Sequence, residues 1–314
     1  MPSLDLPRIA CLGGAVIDRK LVALRAIEAG TSNPARGHVG FGGVARNVAE
    51  NLARLGCRAS LHSCVGDDAN GAALLAHLAL AGVDASAVRA VSGASTAEYV
   101  AILEPGGALH VAAADMAILD GLYGPLVDGF LDDAAGADWA FADCNAPAAT
   151  LERLVDRTRS AGVNLAVDVI STVKAARLPH DLSGLGCLFL NRDEAAAILG
   201  GPAAPAELAE ALKARGAQRF VLTLGADGAI AHEAGASHTI KAESARIVDV
   251  TGAGDAMIAG TLLGLASSLS LPEAARLGAH VAARAVASPL SVDETLAPAV
   301  AAAFLARASR SLRA

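Results

Sequence analysis

From Asp138 onward short apolar runs alternate with stretches of helical period, and this alternation limits the fold more than any other feature of the chain. Asp138 to Ala142, Asn164 to Val169, Cys187 to Leu190 and Arg219 to Leu224 have the length and composition of strands. Ala148 to Ser160, Arg192 to Leu199 and Ala206 to Arg215 repeat apolar residues at helical spacing. Strands separated by helices pair in parallel, and the crossover helices cover both faces of the sheet. Ligands of such sheets bind beyond the carboxyl ends of the strands. Asp18, Asn145, Asp168, Asn191 and Thr223 are the polar residues expected at that edge.

The first part of the chain departs from this rhythm. Arg8 to Leu12 reads as a strand ending in Gly13-Gly14. From Arg19 to Phe41 neither period persists and Thr31-Ser-Asn-Pro34 signals a turn, so an irregular arm is expected. Gly42-Gly43 opens a helix in which Val44, Val48, Leu52 and Leu55 share one face, Arg46, Glu50 and Arg54 lie off it, and Gly56 supplies the stop. Asn47, about one turn in, either reaches a ligand at that helix start or is solvated. Ala59 to Val65 reads as a strand, Gly66-Asp67-Asp68 as a turn and cap, and Gly71 to Ala81 as a helix. Ala97 to Leu103 and Ala108 to Ala113, joined by Pro105-Gly-Gly107, form an expected hairpin, as do Ala229 to Glu233 and Ser237 to Lys241. With no internal repeat or linker, the arm and first hairpin are expected to form a small layer beside one large domain.

Asp249-Val-Thr-Gly-Ala-Gly-Asp-Ala-Met-Ile-Ala-Gly260 is the densest glycine motif. Ile247, Val248 and Val250 resemble the end of an apolar strand and Ala256 to Leu265 a helix, which makes Gly252 to Gly254 a strand-to-helix turn. Amides at a helix start lack partners within the helix and carry the positive end of its dipole, so they gather anionic oxygens. Asp255 falls in the first turn, where the dipole is expected to hold it ionised, beside a bound phosphate or as a plain cap. The Walker loop fails for want of a Lys, and the dinucleotide fingerprint fails because Met257 replaces its third glycine. Taken alone, the stretch is either a phosphate site or a turn that merely starts a buried helix.

Composition narrows the partners. Charged residues are 18% of the chain, below the roughly 25% of an average globular protein. Net charge is −7 with no Lys/Arg run, so neither nucleic acid nor an anionic membrane is an expected partner, and a small molecule is. The uncharged run Ala256 to Pro272 contains glycines, serines and a proline and falls short of the about 20 residues a membrane helix needs. Met1 to Asp18 has no basic n-region, so no secretory leader is expected. Five scattered cysteines without Cys-x-x-Cys, and eight histidines without His-Glu-x-x-His, point away from disulfides and zinc and towards a reducing, cytoplasmic setting.

Two ordered signatures, Gly42-Gly43-Val-Ala-Arg-Asn47-Val-Ala-Glu-Asn-Leu-Ala-Arg-Leu-Gly56 and Asp249-Val-Thr-Gly-Ala-Gly-Asp255-Ala, resemble those of the ribokinase-like (PfkB) kinases. The resemblance spans nearly the whole chain. It implies an α/β, ribokinase-like three-layer fold: a mostly parallel central sheet with helices on both faces and a small β lid, one domain over 1–314 with lid segments at about 16–41 and 96–113. It also implies transfer of a phosphoryl group from ATP to a sugar or nucleoside, and a homodimer joined through the lid sheets.

By the same resemblance the anion hole falls on Gly252, Ala253 and Gly254 and the catalytic base on Asp255. Asn191-Arg-Asp-Glu194 is similar to the family motif whose asparagine lies near the phosphates and whose glutamate holds Mg²⁺, largely through water. Thr223, Gly225 and Gly228 match a loop on the ATP side. Asp18, Gly42, Gly43 and Asn47 match positions that bind sugar hydroxyls, and a carboxylate suits a cis-diol. The backbone around Asp249 and Val250 is where the family holds a monovalent cation such as K⁺. Thr31-Ser32-Asn33-Pro34, Ala114-Asp115-Met116 and Val169-Ile-Ser171-Thr-Val-Lys174 look like the subgroup acting on pseudouridine, whose 5′-hydroxyl is then the expected acceptor, with Ser32 and Asn33 in its site. Ribose, another nucleoside or a ketohexose are the sister expectations, and a catalytically silent nucleoside-binding protein is the reading from another class. Val16 replaces an Asn usual in the subgroup, and Val250 and Met257 replace the commoner Thr and Phe of the second signature.

Overall fold

A computed structural model describes residues 6–121 and 124–311. The first five residues of the segment read for a leader, and both ends of the expected 1–314 domain, lie outside the described residues. In chain order the elements are β1 (Arg8–Leu12), β2 (Val16–Ala23), β3 (Ala35–Gly42), α1 (Val44–Arg54), β4 (Arg58–Gly66), α2 (Ala69–Leu80), β5 (Val88–Val91), β6 (Glu98–Leu103), β7 (Leu109–Asp115) and α3 (Pro125–Ala134). There follow β8 (Trp139–Asp143), α4 (Ala148–Ala161), β9 (Leu165–Asp168), β10 (Cys187–Asn191), α5 (Arg192–Leu199), α6 (Pro205–Ala214), β11 (Arg219–Thr223), β12 (Ala229–Glu233), β13 (Ala236–Ile240), α7 (Ala253–Ala266), α8 (Leu271–Ala285) and α9 (Pro298–Ser311).

The large sheet runs β13-β12-β11-β10-β9-β8-β1-β4-β5, parallel from β11 to β5, with β12 and β13 added antiparallel at one edge. Strand side chains alternate between faces, and β1 shows the result. Ile9 and Cys11 enter a core shared with α1, α2, α7, α8 and α9, while Ala10 and Leu12 enter a second core packed by α3, α4 and α6. Both faces are therefore covered, as the alternation requires. α7 is buried from Asp255 to Gly264, so its apolar surface all round needs no membrane. Among the described residues no helix is long and apolar enough to cross one. The cysteines are free and buried.

Two expectations are corrected. The arm over Arg19 to Phe41 is not irregular: β2 and β3 pair antiparallel over eight residues and, with β6 and β7, make a second sheet of order β3-β2-β6-β7. The missing signal has a physical cause, since β3 buries none of Ala35 to Val39 and so needs no apolar alternation. Ile247, Val248 and Val250 do not end a strand; they are exposed in a loop, and apolar composition alone does not pair a segment that has no neighbour. β5 and α3 were not expected and complete the edge and one face of the large sheet.

Candidate active site

The carboxyl ends of β1, β8, β9, β10 and β11 meet the N-termini of α1 and α7. At their centre lies Asp143, the last residue of β8 and fully buried. Its Oδ2 accepts from the amides of Gly14 (2.9 Å) and Ala45 (3.0 Å), and its Oδ1 from the amide of Asn145 (2.9 Å). Burial still raises its pKa against those donors. One carboxylate thus fixes the Gly13-Gly14 turn, the start of α1 and the loop after β8. The sequence reading passed over it, although an acid ending an apolar strand is a visible sign.

Asp18 on β2 lies directly over Gly42, where an added Cβ would run into its carboxylate, so any side chain there displaces Asp18. Gly43 caps α1 at φ 93° with its Cα against the Gly14 carbonyl. Asn47 lies in the first turn that follows. Its Nδ2 donates to Asp255 Oδ2 at 2.6 Å, and its Oδ1, buried, has no partner among the described residues. Asn47 is therefore not a solvated helix residue. An unpartnered buried acceptor beside a carboxylate is a place for a hydroxyl donor.

Asp255 is the third residue of α7 and is buried. Burial is the largest influence and pushes its pKa up to about 7; the Asn47 hydrogen bond and the Arg46 charge pull it down, while Asp143 and Asp18 push it up. The expectation that the helix start holds this group ionised is thereby corrected: loss of water outweighs the dipole. A carboxylate near 7 is a stronger base than an ordinary Asp and is still half ionised at neutral pH.

Behind these residues lies a buried ion network. Arg46 donates to the carbonyls of Gly42 (3.1 Å) and Phe41 and to Glu50 Oε2 (2.5 Å). Glu50 also accepts from Arg54 (2.9 Å) and bonds His77 (2.8 Å), whose ring stacks on Phe41 at 4.5 Å. Arg46 and Glu50 lie off the apolar face as expected, yet they are 2% and 1% exposed: the end of β3 accepts from Arg46, and Arg46, Arg54 and His77 of α2 surround the Glu50 carboxylate. The network holds the β3-to-α1 corner on which Gly42 and Gly43 sit.

Further along the edge, Asn191 and Thr223 are register partners at the ends of β10 and β11. Asn191 caps α5 through a reciprocal box: its Oδ1 accepts from the Glu194 amide (2.9 Å), while Glu194 accepts from the Asn191 amide and side chain, each at 2.8 Å. Burial raises the Glu194 pKa against those bonds. The Asp168 pKa is raised well above the usual range by loss of water and by the neighbouring Glu194, Asp255 and Asp143 carboxylates. Ile170, just after it, stands at φ 70°, a strained conformation for a β-branched residue of the kind that collects at functional sites. Lys174 bonds Asn145 Oδ1, bringing an ammonium to this acidic edge. Gly225 and Gly228 flank a short turn after β11; Gly225 is open, and Gly228 packs on the Ile240 carbonyl.

Gly252 caps α7 at φ 82°, with the Ser291 carbonyl where a Cβ would stand. Ala253 N makes a long bond to Val250 O (3.3 Å), and Gly254 is exposed at the helix start. Asp249 is engaged by Lys20 of β2 and by Thr251. Ser32 and Asn33 are not brought to the site. They lie in the turn beyond the Ala23–Ala35 end of the hairpin, about 23 Å along the strand from the Val16–Gly42 end, and Asn33 closes that turn onto Glu28. Val16 is buried.

The pfkB family carbohydrate kinase model matches residues 6–296. Pseudouridine kinase of Escherichia coli (strain K12) is 33% identical over 260 residues, covering 80% of this chain and 82% of that protein. A carbohydrate kinase from Agrobacterium tumefaciens superposes with a TM-score of 0.82 at 31% identity, over 96% of this chain and 97% of that one. Arabidopsis thaliana ribokinase, complexed with ribose and ATP, gives 0.83 at 21% identity over 96% and 99%, a likeness of fold. The chain therefore belongs to the PfkB family and is a sugar or nucleoside kinase of the ribokinase-like fold.

Proposed function

We propose that this chain transfers the γ-phosphoryl group of ATP to the 5′-hydroxyl of a nucleoside, with pseudouridine as the acceptor. The observation that carries the reading is the Asn47–Asp255 contact, which puts an unpaired amide oxygen and a carboxylate of pKa about 7 side by side. Asp18, lying over Gly42, accepts from the ribose diol, and Asn47 Oδ1 takes another hydroxyl. Asp255 orients the 5′-hydroxyl. Its oxygen forms the bond to the γ-phosphorus while the bond from that phosphorus to the β,γ-bridging oxygen breaks; ADP leaves and the proton ends on Asp255. The amides of Gly252, Ala253 and Gly254 face the charge on the transferring group, with Ala253 the weakest donor because of its bond to Val250.

The oxygen donors Glu194 and Asp168 fit Mg²⁺, and because Asn191 donates to both Glu194 oxygens, Glu194 would hold the ion through water. Mg²⁺ bound with the nucleotide supplies charge neutralisation at the phosphates. Asn191, Thr223, Gly225 and Gly228 form the nucleotide side. The four-stranded sheet acts as the lid, excluding water from the transfer. Its outer face carries Val39 (62% exposed) and Val111 (49%), which suits pairing with a second copy through the lid sheets.

A coupled ADP-release panel over pseudouridine, uridine, inosine, ribose and a ketohexose tests the reading. Pseudouridine is expected to give the highest kcat/KM. A higher value with another compound moves the acceptor, and no stimulation by any of them removes the kinase assignment in favour of a silent binder.

A further inference from the structure

We propose that Lys20 is the built-in cation of the loop that carries the phosphate amides, so that this chain works without the monovalent cation expected at Asp249 and Val250. Asp249 Oδ2 accepts from Lys20 Nζ at 2.7 Å, and Asp249 Oδ1 accepts from the Thr251 amide (2.9 Å) and hydroxyl (2.7 Å). Lys20 also donates to Thr251 Oγ1 at 3.0 Å. Both oxygens of Asp249 are therefore committed, and the Val250 carbonyl accepts from Ala253. A K⁺ held by the backbone around Asp249 and Val250 does not fit beside it: it would sit against an ammonium already in contact with the Asp249 carboxylate, and like charges at that distance repel.

The position of the ammonium gives it a task. The loop before α7 hangs from the Val286 carbonyl, which accepts from Val248 N (2.7 Å) and Asp249 N (3.3 Å), and it is wedged at Gly252 against Ser291. Lys20 is a third brace, and the one that comes from the lid. Asp18 stands two residues earlier on β2, and alternate residues of a strand share a face. A single lid strand thus holds the acceptor carboxylate and the brace of the phosphate loop, so seating an acceptor against Asp18 sets the loop that meets the phosphate. Lys20 is a positioning residue in this scheme; it touches neither acceptor nor phosphate.

The activity arm of the test rests on the kinase reading, and a binding arm stands without it. Wild type, Lys20→Met and Lys20→Arg are compared in choline, NaCl and KCl at equal ionic strength, by ADP release with pseudouridine and by thermal melting without substrate. Wild type and Lys20→Arg are expected to turn over within about twofold in all three salts and to melt at one temperature. Lys20→Met exposes Asp249, so K⁺ is expected to restore turnover by about tenfold and to raise its melting temperature by about 2 °C through binding to the folded state. If no acceptor is turned over, melting alone decides. A wild type activated or stabilised by K⁺ in this way overturns the proposal, and so does a Lys20→Met variant that responds to K⁺ no more than wild type.

Discussion

Asn47 Nδ2 and Asp255 Oδ2 lie 2.6 Å apart across 208 residues of sequence, tying the first turn of α1 to the first turn of α7. In the proposed function this bond joins the acceptor side of the site to the phosphate side, and it favours the ionised form of Asp255. Two consequences concern pH. Asp255 must be ionised to take a proton, so kcat/KM is expected to fall as pH drops through about 7. Asn47→Ala removes a hydrogen bond to a charged group, which is worth about 1.5–3 kcal/mol, so the acid limb is expected to move up by about one to two pH units. A pH–rate profile of each protein checks this; an unmoved limb in Asn47→Ala removes the bond from the tuning of Asp255.

Stability should carry the opposite mark of the same group. The folded pKa of Asp255 is raised from 3.8 to about 7, so folding favours its neutral form. Its contribution is full below the unfolded value and is lost as pH rises to about 7. Asp255→Asn is therefore expected to be more stable than wild type at pH 8, by about 1–4 kcal/mol, with the difference vanishing near pH 4. Urea unfolding at the two pH values measures it.

Glu50 behaves the other way. Burial raises its pKa, but hydrogen bonds from His77 and Arg54 and the Arg46 charge outweigh that and hold it at about 2. A depressed carboxylate stabilises above its unfolded pKa of about 4.5, and that stability is lost as pH falls towards 2. Glu50→Ala leaves Arg46 buried without its partner and is expected to cost about 3–5 kcal/mol by denaturant unfolding. A loss below about 1 kcal/mol shows that the network contributes little to folding.

Gly42 separates binding from folding. A Cβ there meets the Asp18 carboxylate, and Asp18 is the group that must move. Gly42→Ala is expected to raise the acceptor KM about 10- to 100-fold with little change in ATP KM or melting temperature. An equal rise in both KM values points to a wider disturbance of the corner.

The sequence makes the large sheet legible because its strands are buried on both faces and its helices on one, so Cys187–Asn191 and Arg192–Leu199 announce themselves by composition and period. The small sheet hid because Ala35 to Val39 is exposed and carries no apolar rhythm, while Ile247 and Val248 misled by being apolar where nothing pairs with them. Glycine spacing and Asp255 marked the end proposed to meet the phosphate, and the Gly42 signature the end proposed to hold the acceptor; the structure brings the two together through Asn47. What stayed hidden depends on burial and on long-range contact: the raised pKa of Asp255, the ion network around Arg46, the three amides on Asp143, and Lys20 reaching Asp249 from 229 residues away. A charge in a helix gives no sign in sequence that a distant element will close over it.

The most direct measurement pairs ADP release with binding for wild type and Asp255→Asn, using pseudouridine and ATP with Mg²⁺. Loss of a positioned general base costs about 10²–10⁴-fold, so turnover is expected to fall by that factor while calorimetric affinity for pseudouridine stays within a few-fold. An Asp255→Asn protein that turns over pseudouridine at the wild-type rate would contradict the assignment of Asp255 as the base.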